Sequence, residues 1–288
     1  MNIAIFSKNV NPEHEHLKKM LIEKLIKGNH KVSIHQNLIS IIQHNKIGFQ
    51  VFEKPEQLSK SVDLFISIGG DGTFLESVRY VRDTNIPIAG INLGRLGFLA
   101  YIAKNEIEYF VNCINNKTFE TEKRSLLAFQ SEYNPFSIFP YALNDITIQK
   151  SDATLITVTT LINGIELNKY WSDGLIISTP TGSTAYSMSA GGPIVSTDCK
   201  AFIISPIASH NLSVRPMVVP DNAIIELSIK SRSENFVATL DAQHSLMTAS
   251  SVIKISKAPF CINIVRLPGH NFFATIRNKL MWGVDVRN

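Results

Sequence analysis

Two domains are expected of this sequence: an α/β N-terminal domain with an open, mainly parallel sheet, and a C-terminal all-β domain, sandwich-like. Three observations carry the expectation. Over the first hundred residues apolar strand-like runs alternate with stretches of helical period, the pattern of a parallel sheet covered by helices. After about residue 120 short β-rich runs follow one another with almost no helical period. The length of 288 residues also exceeds that of a usual single domain. The expected division is residues 1–120 for the first domain and 121–270 for the second.

Residues 2–6 (Asn-Ile-Ala-Ile-Phe) read as a first strand, and Glu13 to Lys27 as a helix with Leu17, Met20, Leu21 and Leu25 at helical spacing. Lys27-Gly28-Asn29 stops that helix, and His30 to Ile34 is the next strand. The pattern repeats with a strand from Val62 to Ile68, a helix from Thr73 to Arg82 and a strand from Ile86 to Ile91. The β-rich part offers Leu126–Gln130, Leu143–Gln149, Thr154–Ile162, Leu175–Ser178, Ile224–Ile229, Phe236–Leu240, Val252–Ile255 and Ile262–Val265. Asn163-Gly164 between two runs is a hairpin signal, because both residues accept positive φ. The tail from Asn271 to Trp282 could return to the first domain as helix or strand, so that domain may be joined by 271–288.

A hydrophobic fraction of 44% and a charged fraction of 18% belong to a globular chain. The formal charge of +4 comes from scattered Lys and Arg, which argues against a nucleic-acid partner and suits a small anion equally well. Cys113, Cys199 and Cys261 match no metal or disulfide spacing and read as reduced core thiols. The opening MNIAIFSKN is too brief and wrongly flanked for a signal peptide or membrane span. No membrane association and a cytoplasmic location are expected.

Three motifs carry chemistry. In the first, Val62–Ile68 delivers Gly69-Gly70-Asp71-Gly72-Thr73 into a helix. Glycines let backbone approach a ligand, and free amides at a helix start face an anion. A carboxylate there repels phosphate unless it has a task. Asp71 either caps the following helix, or holds a metal or takes a proton from a hydroxyl nucleophile. The loop fits neither GxxxxGK[ST] nor GxGxxG.

The second motif runs from Ser172 to Pro193, dense in small hydroxylated residues with one aromatic, Tyr186. Small side chains let a flat heterocycle lie against backbone and Tyr186 offers a stacking face, while Asp173 could accept from an exocyclic amine. The alternative is an ordinary Ser/Thr-rich loop with Tyr186 in the core. The third motif is Asn144-Asp145 inside a β-run. An adjacent amide and carboxylate can grip vicinal ribose hydroxyls, or the pair marks a turn or bulge.

Together with Gly90-Ile91-Asn92-Leu93-Gly94-Arg95-Leu96-Gly97-Phe98-Leu99, Thr179-Pro180-Thr181-Gly182-Ser183-Thr184-Ala185-Tyr186 and His210-x-Leu212-x-x-Arg215-Pro216, these motifs resemble the NAD kinase family from Met1 to about Leu267. The resemblance implies ATP and NAD as substrates, a divalent metal ion (Mg²⁺) and transfer of the γ-phosphate of ATP to the 2′-hydroxyl of the adenosine ribose of NAD, giving NADP and ADP. It further implies a β-rich NAD-binding domain, an active site between the domains, and self-association as a dimer or tetramer. By position, Asp71 resembles the catalytic carboxylate with Gly72 beside it, and Gly69, Gly70, Gly72 and Thr73 form the phosphate loop. Asn144 and Asp145 resemble the ribose-holding pair. Asp173, Thr181, Thr184, Ala185, Tyr186, Ser187, Met188, Ser189 and Gln243 resemble the remaining NAD contacts, and no metal ligand is assignable. Asp145 stands where glutamate is common, Trp171-Ser172 where an arginine is frequent, and Ala242 where a glycine follows Asp241. Rival readings are a lipid kinase, which shares GGDGT but should carry a Gly-Thr-x-Asn-Asp-Phe element lacking here, and a non-catalytic dinucleotide sensor.

Overall fold

A computed structural model describes residues 1–8, 12–42, 49–58, 61–94 and 96–282. Arg95 of the second glycine-rich run and residues 283–288 of the tail lie outside the described residues. The chain divides into two compact units, residues 1–123 with 262–288, and residues 124–261.

In the first unit the mainly apolar runs 2–6, 64–68 and 88–92 make strands buried on both faces, as the centre of a parallel sheet between helices requires. The elements are β1 (Asn2–Phe6), α1 (Glu15–Lys27), β2 (Lys31–His35), a single turn α2 (Ile39–Ile42), β3 (Gln50–Phe52), β4 (Leu64–Ile68), α3 (Asp71–Val81), β5 (Ile88–Asn92), β6 (Ile102–Ala103) and α4 (Ile107–Asn116). The parallel order is β3-β2-β1-β4-β5. Strand order therefore reverses between β1 and β4. In open α/β sheets the crevice at the carboxyl ends of the strands beside such a reversal is where ligands bind.

The second unit begins within β7 (Glu120–Ser131) and contains β8 (Tyr141–Ala142), β9 (Asp145–Lys150), β10 (Ile156–Ile162), β11 (Ile165–Ser172), β12 (Gly174–Ser178), the one-turn helix α5 (Tyr186–Ser189), β13 (Ala201–Ile207), β14 (Met217–Pro220), β15 (Ile225–Lys230), β16 (Asn235–Leu240), β17 (Gln243–Thr248) and the start of β18 (Val252–Arg266). One antiparallel sheet has the order β14-β13-β12-β9-β16-β17; facing it, β11-β10-β15-β18 are also antiparallel. Alternate residues of both sheets, among them Ile146, Ile148, Leu175, Ile177, Val158, Leu227 and Ile255, build one core, the arrangement of a sandwich. The β10–β11 hairpin turns on Asn163 (φ 51°) and Gly164 (φ 80°), as a turn requiring positive φ at both central positions demands.

The runs Val252–Ile255 and Ile262–Val265 are one strand, not two: the intervening polar residues and Pro259 break the apolar pattern but not the extended backbone. Its last residues, with α6 (Phe272–Leu280), belong to the first unit. Cys113 is buried as expected, whereas Cys199 is exposed and Cys261 only half-buried, so they are not core thiols; all three are free. No helix among the described residues is long and apolar enough to cross a membrane.

Candidate functional site

The glycine loop lies at the carboxyl end of β4. A Cβ at Gly69 (φ +155°) would come within 2.4 Å of the Thr73 hydroxyl, so glycine is demanded there. At Gly70 and Gly72 an added Cβ would meet nothing within 4 Å. Packing does not demand glycine at either position, and Gly70 is open to the cavity beside it. Ser7 after β1, Ile68, Gly69, Gly70 and Thr73, and Asn92 to Gly94 after β5 line a cavity of about 320 Å³, closed further by His14 and Lys18. It sits where the strand order reverses.

Asp71 is not a helix cap. Gly70 is the N-cap of α3 and supplies no side-chain bond. The Asp71 carboxylate instead accepts the backbone N–H of Phe98 on Oδ2 (2.9 Å) and those of Leu99 and Ala100 on Oδ1 (3.1 and 2.9 Å). The second glycine-rich run makes this possible: a side chain at Gly97 would overlap the Asp71 carboxylate, and one at Gly90 would press on Ala100. Three amides use three of about four lone-pair positions on the carboxylate, leaving one on Oδ2. The Lys279 ammonium of α6 lies 4.0 Å from Oδ2 and 4.5 Å above the Phe98 ring.

In the second unit Asp241 plays the same part for a different segment. Its carboxylate accepts N–H groups from Leu143 (2.7 Å), Asn144 (2.9 Å) and Asp145 (3.1 Å). The carbonyl of Asn144 accepts from the Thr179 N–H (2.9 Å) and the Ser178 hydroxyl (3.2 Å). Gly182 packs so close to that carbonyl that no side chain fits. The peptides around Asn144-Asp145 are thus held from both sides: Asp145 begins β9, and Asn144 sits in the bend just before it. Asp145 is 7% exposed and accepts from the Thr147 hydroxyl at 3.2 Å. Burial pushes its carboxyl up to about 6. Burial, reinforced by the Asp145 charge, pushes Asp241 up to about 7, against the pull of its three amide donors.

The hydroxyl-rich stretch is mostly turned inward. Ser183 bonds the Pro180 carbonyl and the Val195 N–H, Thr184 reaches the Thr181 carbonyl, and the buried Ser187 hydroxyl pairs with that of Ser205 at 2.9 Å. Thr181 and Thr184 are also buried. Ser187 thus has an internal partner in Ser205. Tyr186 is not in the core: it is 40% exposed, and its hydroxyl accepts from Gln149 at 3.0 Å. Ala185, Met188 and Ser189 border it with partial or full exposure. Asp173 is ion-paired with Lys150 at 2.6 Å.

Gln243 donates to the Phe139 carbonyl at 3.2 Å. The replacement of glycine by Ala242 is harmless to the backbone, since positive φ in this hairpin falls on Asp241 (51°) and not on Ala242. The His210 ring lies tilted against that of Trp171 (centroids 5.2 Å apart) and its backbone N–H donates to the Trp171 carbonyl, while Arg215 donates to the carbonyls of Leu212 and Val214; both serve the local loop. Asp241, Lys18 and Lys279 were not identified from sequence. The first two were legible in part, Asp241 as a residue beside a recognised contact and Lys18 as a lysine among apolar helix positions.

Residues 5–119 match the ATP-NAD kinase N-terminal domain and residues 143–267 the ATP-NAD kinase C-terminal domain. The chain is 42% identical to the NAD kinase of Flavobacterium psychrophilum and 38% identical to that of Bacteroides fragilis, over 100% of both chains in each case. It is similar to the crystal structure of yeast NADH kinase complexed with NADH, with a TM-score of 0.88, 26% identity, and coverage of 99% of this chain and 89% of that one. An NAD kinase from Archaeoglobus fulgidus in complex with ATP gives a TM-score of 0.78 and 26% identity, covering 98% and 99%.

Proposed function

The chain belongs to the NAD kinase family, and from that premise we propose that its first unit serves the ATP phosphates and its second unit holds the NAD that receives one of them. The activity is ATP-dependent phosphorylation of NAD to NADP. The observation that carries the division is the open side of Gly70 in the cavity at the strand reversal, set against the fixed backbone of Asn144 and Asp145 at the start of β9.

In this reading the 2′-hydroxyl oxygen of the adenosine ribose forms a bond to the γ-phosphorus, the bond to the β–γ bridging oxygen breaks, and ADP leaves. The hydroxyl proton passes to Asp71 Oδ2, the oxygen with a lone pair to spare. Phosphoryl transfer asks mainly for alignment and charge neutralisation, and the three amides on Asp71 fix its orientation. A divalent cation such as Mg²⁺, held mainly by the substrate phosphates, would supply the neutralising charge. No group of three or more His, Cys, Asp or Glu suited to a metal occurs among the described residues, and an ion carried largely by substrate phosphates needs none.

Asp145 accepts from a ribose hydroxyl most strongly when ionised. The KM for NAD is therefore expected to fall as pH rises through about 6, and Asp145→Asn should flatten that dependence. The same groups act on stability with a definite sign. Both carboxyls titrate higher folded than unfolded, so their contribution is fully present below about pH 4 and is lost as pH rises through about 6 and about 7. Thermal melting of the wild type and Asp145→Asn across pH 4–8 reads this second effect.

Tyr186→Ala should weaken NAD binding by about 1–3 kcal/mol through loss of stacking area. The KM for ATP and the melting temperature should stay close to wild type, because the ring is part-exposed and outside the core. Calorimetry with NAD, beside steady-state kinetics in both substrates, tests the assignment; unchanged NAD affinity in the folded variant would remove it.

A further inference from the structure

The tail sequence places Phe272, Ile276 and Lys279 at i, i+4 and i+7 on α6, along one face of the helix. Ile276 is buried and Phe272 half-buried, so that face packs inward and Lys279 extends it at its far end. The packing is anchored where α6 begins: Asn271 Oδ1 accepts the Ala274 N–H at 2.8 Å, and just before it His270 Nε2 lies 2.9 Å from Glu106 Oε1. Lys279 is thereby held against the second glycine-rich run. Its ammonium lies 4.5 Å above the Phe98 ring and 4.0 Å from Asp71 Oδ2, the oxygen that accepts the Phe98 N–H. A bonded ammonium–carboxylate pair closes to about 2.7–2.9 Å. At 4.0 Å the ammonium stands beside Oδ2 without taking its free lone pair.

We propose that Lys279 is a further catalytic residue, whose ammonium contacts the oxygens of the phosphoryl group as it passes from ATP to the 2′-hydroxyl. The proposal rests on the role given above to Asp71. In that step the bond from the hydroxyl oxygen to the γ-phosphorus forms, the bond to the β–γ bridging oxygen breaks, and the hydroxyl proton goes to Oδ2. The phosphoryl group must therefore come close to a carboxylate of its own sign of charge, which opposes its approach. A cation at this spot offsets the repulsion, and an ammonium with three donors on a flexible stem can follow the moving group. The seat on the Phe98 ring keeps it beside the reacting atoms between turnovers. The alternative is an ion pair that only ties α6 to the glycine loop, and such a part-exposed pair would act on stability alone, and weakly.

The test uses the full chain as wild type, Lys279→Met and Lys279→Arg. NADP formation is followed with MgATP varied at saturating NAD, then with NAD varied at saturating MgATP. Losing one donor to the transition state in an enclosed site costs about 10²–10³ in rate. The Lys279 side chain is 33% exposed, so water screens it, and Lys279→Met should lower kcat by roughly 10–100-fold. Both KM values should stay within about threefold, because the contact is made in the transition state. Lys279→Arg, which keeps the charge, should recover most of the loss. A kcat near wild type in Lys279→Met, with or without a lower melting temperature, would overturn the proposal and leave an ion pair that only ties α6. A rise in either KM with kcat unchanged would overturn it too. The kinase reading survives both results, since the wild type still forms NADP; a wild type that forms none would refute that reading and the proposal with it. Should Lys279→Met fail to fold, hydrogen exchange of the wild type decides. Aluminium fluoride, a mimic of the transferring phosphoryl group, must slow exchange in Phe272–Leu280 beyond what MgADP and NAD do without it, and no added protection there refutes the contact.

Discussion

Asp71→Asn is expected to lower kcat by roughly 10²–10⁴-fold, the usual span for losing a general base, while NAD still binds. The structure makes the experiment sharper than a helix cap would. Asparagine can keep one oxygen facing the amides of Leu99 and Ala100, but its NH₂ group then meets the Phe98 N–H, donor against donor. That conflict costs about 1–3 kcal/mol, so the melting temperature should also drop by a few degrees. The two losses are separable. If Asp71 were only a pin for the Phe98–Ala100 backbone, the drop in melting temperature would appear with turnover close to wild type at a temperature where the variant is folded. A large fall in kcat with NAD affinity preserved assigns the proton to Asp71.

Asp241→Ala is expected to give the largest loss of stability together with a raised KM for NAD. Removing the carboxylate leaves the N–H groups of Leu143, Asn144 and Asp145 without their acceptor, each worth about 1–3 kcal/mol when buried and unpaired. Neighbouring effects do not add, and a total of about 3–5 kcal/mol is the scale for breaking a buried charged contact. The same change frees the peptides that aim Asn144 and Asp145. The KM for NAD should therefore rise while that for ATP stays near wild type, and Asp241→Asn, which keeps one acceptor oxygen, should fall between. Differential melting and two-substrate kinetics check both parts. Equal effects on the two substrates would mean that Asp241 only holds the fold.

Much of this fold could be read from the order of apolar runs. Within β1 to β5 the anticipated strands and helices fall close to their expected bounds, whereas α2 and β3 were not anticipated; strands buried on both faces, such as Leu64–Ile68, are uninterrupted apolar runs and so are legible. The β10–β11 hairpin was legible from Asn163-Gly164 because positive φ at two positions is a local demand. Long-range contacts were not legible. The amides of Leu143–Asp145 are 96 to 98 residues from Asp241, and those of Phe98–Ala100 are 27 to 29 from Asp71. Motif spacing can point to such residues but not to what they hold. For α1 the spacing of Leu17, Met20, Leu21 and Leu25 gave the helix correctly and its buried face incorrectly, since Leu17 and Met20 are half-buried and Lys18 and Ile22 are inside. The inward-facing hydroxyls of Ser183 and Ser187 show the converse limit. Composition announces a polar loop, and only packing tells which hydroxyls bind the protein itself.

The most direct test of the account is whether the purified full chain makes NADP. With NAD, ATP and Mg²⁺ present, an NADP-specific dehydrogenase should detect product in proportion to enzyme and time, with none when ATP is omitted. Absence of NADP from protein that is folded and binds NAD would contradict the account and leave a dinucleotide sensor; absence of NADP with ATP consumed on a lipid alcohol would point to a lipid kinase.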